Sequence, residues 1–294
     1  MGYGRWSNAD YTTYASTTKI ETLSRDQVFK QRNIHESLDP ARIVLRESCD
    51  SAANPNSTPA IFGLDVTGSM GFIAEHIAKT GLGELMAQII EEKPISDPHL
   101  MFMALGDIRS DYAPLQVSQF EPDIRIIDQL RNIYVEGHGG GNHTESYDLP
   151  WYFAAHRTAI DSFSKRGKKG YLFTIGDELP PDEALPAYKL EGIMGSGDIP
   201  VAPSPTELLA QAQEKYKVFH IIAEEGSECR SGYGTRAVRE AWVKLMGGNV
   251  LFMRDHRALT DIVIGVLKIA EGMDVKQAVA ESRKPLELKY ALGL

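Results

Sequence analysis

Three oxygen-bearing side chains alternate along one short segment of the sequence, at Asp65, Thr67 and Ser69. The segment follows an apolar run at 60–64 and precedes a stretch with apolar residues at helical spacing. A carboxylate and two hydroxyls at positions i, i+2 and i+4 can point their oxygens into one small volume if the chain turns at Gly68. Because hard cations such as Mg²⁺ prefer oxygen ligands and keep several waters, this spacing predicts a divalent-cation site.

Two other polar loops offer ligands of the same kind. The glycine-rich segment 139–145 contains Asn142 and Thr144, and the sequence leaves open which of their oxygens would reach the cation. Asp177 follows a second apolar run, at 170–175. The predicted metal ligands are Asp65, Thr67, Ser69, Asp177, Asn142 and Thr144.

The elements around these loops follow an alternating pattern. From residue 60 onward, short apolar runs alternate with amphipathic segments, which is typical of βαβ units and a mostly parallel sheet. The pattern predicts a doubly wound α/β fold with a central sheet flanked by helices. Predicted strands are 60–64, 100–105, 124–127, 170–175, 218–223 and 250–253, and predicted helices are 71–92, 152–163, 206–215, 235–246 and 257–271.

Acidic residues recur where these predicted strands end. In open α/β sheets, strand ends and helix N-termini converge on a crevice at the carboxyl edge, and ligands bind there. We therefore expect the acids to share one functional face of the sheet. They are Asp65, Asp107, Asp177, Glu224 and Asp255.

Composition divides the chain into segments. Residues 1–56 are polar and lead into a turn-prone run at 51–59, so we predict an N-terminal extension there. The main domain is predicted over 57–272, with a C-terminal tail over 273–294. Proline and glycine clusters in 179–205 predict a structured loop or flap, without helix or strand, that leaves the metal edge.

Bulk properties narrow the possible functions. The 294-residue chain has a formal net charge of −9 and a pI near 5.4, which disfavours binding to nucleic-acid phosphates. The two cysteines, Cys49 and Cys229, lie far apart, so neither a disulfide framework nor a structural zinc is expected. Because the sequence has no apolar leader after Met1 and no run of about 18 apolar residues, we expect a cytoplasmic protein that does not bind membranes.

Part of the pattern resembles a known metal site. The segment 65–69 reads Asp-x-Thr-Gly-Ser, and it is followed by a glycine-rich loop with a threonine and by the strand-terminal Asp177. This set resembles the metal-ion-dependent adhesion site of von Willebrand factor A domains, and the match extends from residue 60 to about residue 270. Thr67 stands where the family more often has serine, and either hydroxyl can serve.

The resemblance implies how such a site would work. It implies direct coordination by Ser69 with Thr67 close by, a contact from the glycine-rich loop through Thr144, and Asp65 and Asp177 acting largely through water. The implied ion is Mg²⁺, with Mn²⁺ or Ca²⁺ as alternatives. The implied function is protein binding without catalysis, through an Asp or Glu of a protein partner. The resemblance is to intracellular domains of the bacterial or phage type, and it permits an ATPase-containing assembly as the partner.

A second interpretation comes from another class of protein. The same motif after a strand resembles that of haloacid-dehalogenase-like phosphohydrolases, in which Asp65 would be the nucleophile. The segment 176–182 mimics their later acidic pair, and Lys165 or Lys169 could bind phosphate. However, a long helix follows the motif at once, and the second strand ends at Asp107 where Ser or Thr would hold the phosphate. The glycine-rich loop also has no role in that scheme, so the metal-dependent binding domain is the preferred hypothesis.

Overall fold

One sheet, built from six of the described strands, organises the structure. The computed structural model describes residues 4–136, 145–195 and 203–294, apart from the side chain of Ser69. Its strands are β1 (Arg46–Ser48), β2 (Thr58–Asp65), β3 (Pro98–Leu105), β4 (Leu115–Val117), β5 (Thr158–Ile160), β6 (Gly170–Gly176), β7 (Tyr216–Ala223) and β8 (Val250–Met253). β1 and β5 pair in parallel outside the main sheet.

The main sheet has the strand order β4-β3-β2-β6-β7-β8, and each neighbouring pair is parallel except β3 and β4. The predicted doubly wound, mostly parallel α/β fold is therefore confirmed. The chain leaves β2 toward β3 on one side and later returns to β6 on the other. The strand order thus reverses between β2 and β6, and at such a point a ligand crevice forms beyond the carboxyl ends of the strands.

Helices cover both faces of the sheet. They are α1 (Asn8–Thr18), α2 (Arg25–Val28), α3 (Gly71–His76), α4 (Leu82–Glu92), α5 (Arg125–Arg131), α6 (Asp148–His156), α7 (Asp161–Arg166), α8 (Ala187–Met194), α9 (Pro205–Lys215), α10 (Ser227–Ser231), α11 (Thr235–Met246), α12 (Leu259–Ala270), α13 (Val275–Glu281) and α14 (Pro285–Ala291). Buried residues of α3, α4, α5 and α12 form one core cluster, and those of α6, α8, α9 and α11 form the other. Because the central strands are buried on both faces, they read as continuous apolar runs. Of the described helices, none combines the length and apolar character needed to cross a bilayer.

A row of aromatic rings crosses four neighbouring strands. Phe62 lies opposite Phe102 and Phe173 in the strand register, with ring centroids 5.6 and 5.4 Å apart. Phe219 continues the row at 5.3 Å from Phe173. Such ring pairs contribute about 1 kcal/mol each beyond their buried area. The row therefore favours one register, and with it the relative positions of the strand ends.

Both terminal segments pack against the sheet and its helices. Ile20, Val28 and Phe29 are buried in the same core cluster as α4 and β3. At the other end of the chain, α14 contacts α12 and β8 and buries Leu288. Gly265 in α12 allows this approach, because a Cβ there would lie 2.4 Å from the Leu288 side chain.

The strand predicted at 124–127 is wrong, because residues 125–127 form the start of the helix α5. Ile126, Ile127 and Leu130 are buried on one side at helical spacing. A window of four residues does not distinguish a period of two from a period of 3.6 when apolar side chains stand next to each other.

The single helix predicted over 152–163 is also wrong. α6 ends at His156, Thr158–Ile160 form β5, and α7 begins at Asp161. Threonine and isoleucine favour extended backbone, and β1 supplies the neighbouring strand. The pairing with β1 could not be anticipated, because β1 is only three residues long.

The segment 179–205 contains a helix that was not predicted. α8 buries Leu190 and Met194 against the second core cluster. It ends at Gly195, whose φ of 64° lies in the left-handed region that favours glycine at helix ends. Residues 196–202 lie outside the described part of the chain.

Candidate metal centre

Asp65 ends β2 at the point where the strand order reverses. It is 1% exposed, and its Oδ1 accepts hydrogen bonds from the Thr67 backbone N (2.9 Å) and hydroxyl (2.6 Å). Oδ2 accepts a hydrogen bond from the Tyr147 hydroxyl at 3.2 Å. The chain then turns at Gly68, whose φ is 40°. Three donors therefore fix the orientation of this carboxylate.

Thr67 connects Asp65 to a second buried acid. Its hydroxyl lies 2.6 Å from Asp65 Oδ1 and 3.2 Å from Glu145 Oε1, so one proton serves two carboxylates. Glu145 is 2% exposed, and its Oε2 has no hydrogen-bond partner among the described residues. Burial of a carboxylate oxygen without a partner is costly, so this atom has capacity for a further ligand.

Asp177 follows β6, the strand beside β2. Its Oδ2 accepts a hydrogen bond from the Glu228 backbone N at 2.7 Å, and its carbonyl accepts one from Cys229 Sγ at 3.4 Å. Gly226 lies against the carboxylate, because a Cβ at that position would be 2.1 Å from Asp177 Oδ2. The start of α10 therefore encloses Asp177 from the side of β7.

Tyr147 links the ends of β2 and β6. Its hydroxyl donates to Asp65 Oδ2 and accepts a hydrogen bond from the Glu178 backbone N at 3.4 Å. The ring packs edge-on against His220 and Trp242, with centroids 5.0 and 5.3 Å away. At the end of β6 a glycine makes room for it, since a Cβ on residue 176 would lie 1.9 Å from the Tyr147 hydroxyl. Tyr147 thus holds the two strand ends in a defined relation.

Two further acids lie beside this group. Asp107 follows β3, and its carboxylate accepts hydrogen bonds from the Arg109 backbone N at 3.1 Å and from the Ser110 hydroxyl at 2.8 Å. Asp148 is 0% exposed at the first position of α6, and neither of its carboxylate oxygens has a hydrogen-bond partner among the described residues. We call the whole group the switch-point acids: Asp65, Asp107, Glu145, Asp148, Asp177 and Glu178.

The pKa values of four switch-point acids are raised. Burial and the charge of Asp65 raise the pKa of Glu145, and burial and the charge of Asp177 raise that of Asp65. The same causes raise the pKa of Glu178 to about 8, and burial raises that of Asp148 to about 7. Over the described residues, no lysine or arginine forms an ion pair with these four side chains. Buried oxygen donors without a basic partner fit a divalent cation.

A second group of acids at the same edge has partners. The acids after β7 and β8, here called the β7–β8 acids, are Glu224, Glu225 and Asp255. Their respective partners are Arg239 Nε at 2.6 Å, His256 Nδ1 at 2.9 Å and Arg257 at 2.7 Å. The hydrogen bonds from Arg257 and burial act in opposite directions on Asp255, and its pKa falls to about 2. Possible ligand atoms of Glu225, Asp255 and His256 lie within 4.8 Å of one another.

The predicted ligands fall into two sets. Asp65, Thr67 and Asp177 lie together at the reversal of strand order, as the sequence pattern predicts. Metal coordination by them stays a prediction. The remaining predicted ligands lie outside the described part of the chain; they are Asn142, Thr144 and the side chain of Ser69.

Four residues of the centre were not predicted as part of it: Glu145, Tyr147, Asp148 and Glu178. Two of them have a signal in the sequence, because Glu145 ends the glycine-rich loop and Glu178 adjoins Asp177. Tyr147 and Asp148 have none, since an aromatic residue and an acid before a helix are ordinary features of a sequence. Their role depends on where the chain returns to the sheet.

Comparisons with known proteins find similarity among solved structures. No protein-family model and no curated protein matches the chain. Among solved structures, it is similar to the pilus adhesin SpaC from Lactobacillus rhamnosus GG in an open conformation, with 9% identity and a TM-score of 0.47 over 77% of this chain and 31% of that one. It is also similar to a von Willebrand factor type A structure from Catenulispora acidiphila, with 13% identity and a TM-score of 0.35 over 74% of this chain and 44% of that one. The chain thus spans less than half of either structure, and the fold assignment rests on strand order.

Proposed function

We propose that the chain binds a divalent cation at the switch-point acids and uses it to bind an acidic residue of a protein partner. The observation that supports this most directly is that Asp65 and Glu145 are buried at the reversal of strand order and have no lysine or arginine ion-pair partner among the described residues. Buried charges are stable in proteins when they are paired or coordinate a metal. A divalent cation would offset these charges.

Several oxygens would hold the ion. Asp65, Thr67 and Asp177 would contribute from the ends of β2 and β6, together with Ser69 and one oxygen of the glycine-rich loop. Carboxylates and hydroxyls are hard ligands, so Mg²⁺ is the proposed ion, with Mn²⁺ or Ca²⁺ as alternatives. When bound, the cation would supply a positive centre that accepts one more oxygen ligand.

A carboxylate is the ligand that we expect from the partner. Thr67 and Ser69 are neutral, and a partner Asp or Glu would bring both an oxygen and a negative charge to the cation. The net charge of −9 would otherwise repel an acidic partner. Partner binding should therefore depend jointly on the cation and on one acidic side chain.

The first test measures cation binding alone. Calorimetric titration with Mn²⁺ should detect binding to the wild-type chain and none to Asp65→Asn. Asp255→Asn is the matched control, because Asp255 lies at the same edge and is paired with Arg257. Equal Mn²⁺ affinity in wild type and a folded Asp65→Asn variant would disprove the assignment.

The second test addresses the partner. An array of short peptides is prepared in two versions, one with a single Glu and one with Gln in its place. The chain should be retained by some Glu peptides in Mg²⁺, by none of their Gln counterparts, and by none of either in EDTA. If the Glu peptides are retained equally well in EDTA, peptide binding does not depend on the cation.

We propose that the chain binds its partner without catalysing a reaction. A phosphatase assay tests this proposal against the phosphohydrolase alternative. We expect no hydrolysis of p-nitrophenyl phosphate in the presence of Mg²⁺. Turnover that disappears in Asp65→Asn would instead support the phosphohydrolase.

A further inference from the structure

A pocket opens at the edge of the sheet opposite the switch-point acids, where β7 and β8 begin. Its volume is ≈ 510 Å³, within the range of sites that bind small organic molecules. Its apolar walls come from both strands and from α12, and they include Phe219, Leu251, Val266 and Ile269. Apolar walls around a space of this size suit a ligand with an apolar body.

Phe219 lies at one end of the aromatic row that crosses the sheet. Its ring stacks on Phe173 with an interplanar angle of 18°, and it is only partly buried. In the strand register, Phe219 and Asn249 directly precede the paired residues His220 and Val250. Asn249 therefore occupies the place where a fifth ring would continue the row, and it lines the pocket. An aromatic ring bound there would extend the row as the chain's own rings do.

The charged residues of the pocket are both cationic. Among the described residues that line it, the charged ones are Lys169 and Lys217. Lys169 Nζ donates to the Gln213 carbonyl at 2.6 Å, and Lys217 Nζ donates to the Ala270 carbonyl. Lys217 also contacts Glu271 at 3.7 Å, whereas the ion pairs of the described chain include none for Lys169. An ammonium group has three donors, so each lysine keeps donors for an anionic ligand.

The charge of the whole chain makes this local arrangement informative. The net charge is −9, which disfavours anions over most of the surface. A pocket whose charged lining residues are lysines reverses this preference locally, and it favours a ligand that carries a negative group. The apolar walls and the two ammonium groups thus select a molecule that is apolar at one end and anionic at the other.

We propose that this pocket binds an aromatic carboxylate, with its ring beside Phe219 and its carboxylate at Lys169 and Lys217. The ring takes the fifth place of the aromatic row and packs against the apolar side chains of α12, Val266 and Ile269. The ammonium groups supply charge-assisted hydrogen bonds to the carboxylate. Because the pocket and Asp65 lie at opposite edges of the sheet, this site is separate from the proposed cation site.

The experiment is calorimetric titration of the full chain in EDTA with 2-naphthoate, 2-naphthamide and decanoate. EDTA removes divalent cations, so the result does not depend on the proposed function. 2-Naphthoate should bind about tenfold more tightly than 2-naphthamide, which lacks the charge, and than decanoate, which lacks the ring. Absence of 2-naphthoate binding, or equally tight binding of either other compound, would overturn the proposal.

A pair of lysine variants tests the charge. Lys169→Met keeps an apolar stem and removes the ammonium group, so it should weaken 2-naphthoate binding about tenfold and leave 2-naphthamide binding unchanged. Lys165→Met is the matched control, because Lys165 belongs to the same basic segment, is paired with Asp161 at 2.7 Å and does not line the pocket. Equal 2-naphthoate affinity in the two variants would overturn the assignment of the carboxylate to this pocket.

A third variant tests the place of the ring. Asn249→Phe puts an aromatic side chain of the protein itself where the ligand ring is proposed to lie. It should abolish 2-naphthoate binding while the melting temperature stays at or above that of the wild type. A variant with this melting temperature that still binds 2-naphthoate as the wild type does would contradict the proposed position. The lysine pair decides the question if Asn249→Phe does not fold.

Discussion

The switch-point acids and the β7–β8 acids lie along one edge of the same sheet, and they differ in what surrounds them. Glu224, Glu225 and Asp255 each have a basic or imidazole partner within 3 Å. Over the described chain, the ion pairs include no partner of this kind for Asp65, Glu145 or Asp177. Asp65 and Asp177 follow parallel strands, as Glu224 and Asp255 do, so position at the edge does not explain the difference.

The difference shows two ways in which a fold can accommodate acids at strand ends. In one region the chain supplies the compensating cation itself, and Arg257 keeps the pKa of Asp255 at about 2. In the other region burial raises the pKa of Asp148 to about 7. An acid of the second kind is stable only when it is protonated or when it binds a cation from solution. That the described residues include no basic partner for Asp65 and Glu145 is therefore the most informative feature of this edge.

The largest expected effect comes from removing a partner in the β7–β8 region. Arg239→Met leaves the carboxylate of Glu224 without its guanidinium, and loss of one partner of a largely buried pair costs about 3 kcal/mol of unfolding free energy. Urea denaturation measures this change. Arg236→Met is the control, because Arg236 is 92% exposed and its pair with Glu240 spans 3.9 Å. A loss as small as that of the control would mean that Glu224 does not need its partner.

The next effect concerns cations from solution. Divalent cation at a hundredfold excess over its dissociation constant should raise the unfolding free energy of the wild type by about 2.7 kcal/mol. The same addition should leave a folded Asp65→Asn variant unchanged, because its site has lost a ligand. Thermal unfolding in Mn²⁺ and in EDTA measures both. Equal stabilisation of wild type and variant would mean that the cation binds at a site that does not include Asp65.

The pH dependence separates the two groups of acids. The pKa of Glu178 rises from 4.5 to about 8 and that of Asp148 from 3.8 to about 7, so the folded chain holds these protons more tightly than the unfolded chain. Unfolding free energy in EDTA should therefore fall as pH rises from the unfolded pKa values toward the folded ones, by up to about 1.4 kcal/mol per pH unit and group.

Asp148→Asn should reduce this slope, and Asp255→Asn should not, because Asp255 has a lowered pKa and titrates below this range. Urea denaturation between pH 4.5 and pH 7 measures the slopes. Stability in EDTA that increases over the same range would contradict the assignment of uncompensated acids.

The smallest effect tests how firmly the switch-point acids are held. Tyr147→Phe removes the hydroxyl between Asp65 and Glu178, which should cost about 1 kcal/mol of stability and about tenfold in Mn²⁺ affinity. Tyr216→Phe is the matched control, because this buried hydroxyl bonds to Thr158. The control should lose similar stability and keep its Mn²⁺ affinity. Equal Mn²⁺ affinity in both variants would show that the Tyr147 hydroxyl does not contribute to cation binding.

Several elements could be predicted because their pattern is long. The apolar run at 170–175 corresponds to β6, and the periodic segment 206–215 corresponds to α9. The alternation of such segments also implies parallel strands, and parallel strands bring their carboxyl ends to one edge. Asp65 and Asp177 could therefore be assigned to that edge from the sequence.

Shorter elements and long-range contacts could not be predicted. β4 has three residues, too few to show a period, and it pairs antiparallel at the edge of the sheet. Tyr147 and Asp148 follow a loop whose length does not determine where the chain meets the sheet again. Nor does the sequence indicate that Glu224 and Asp255 have basic partners, since Arg239 is fifteen residues from Glu224.

The hydroxyl of Tyr147 also has a consequence for folding. It joins Asp65, which is 82 positions away in sequence, to Glu178, which is 31 positions away. Contacts of such separation form only when the crossover connections between the strands have closed, whereas helices form from local contacts. Circular dichroism would register partly assembled chains, but cation binding at this centre would count only molecules with complete native topology. If the proposed cation binds here, a Mn²⁺ titration would therefore measure the fraction of correctly folded molecules in a preparation of this protein.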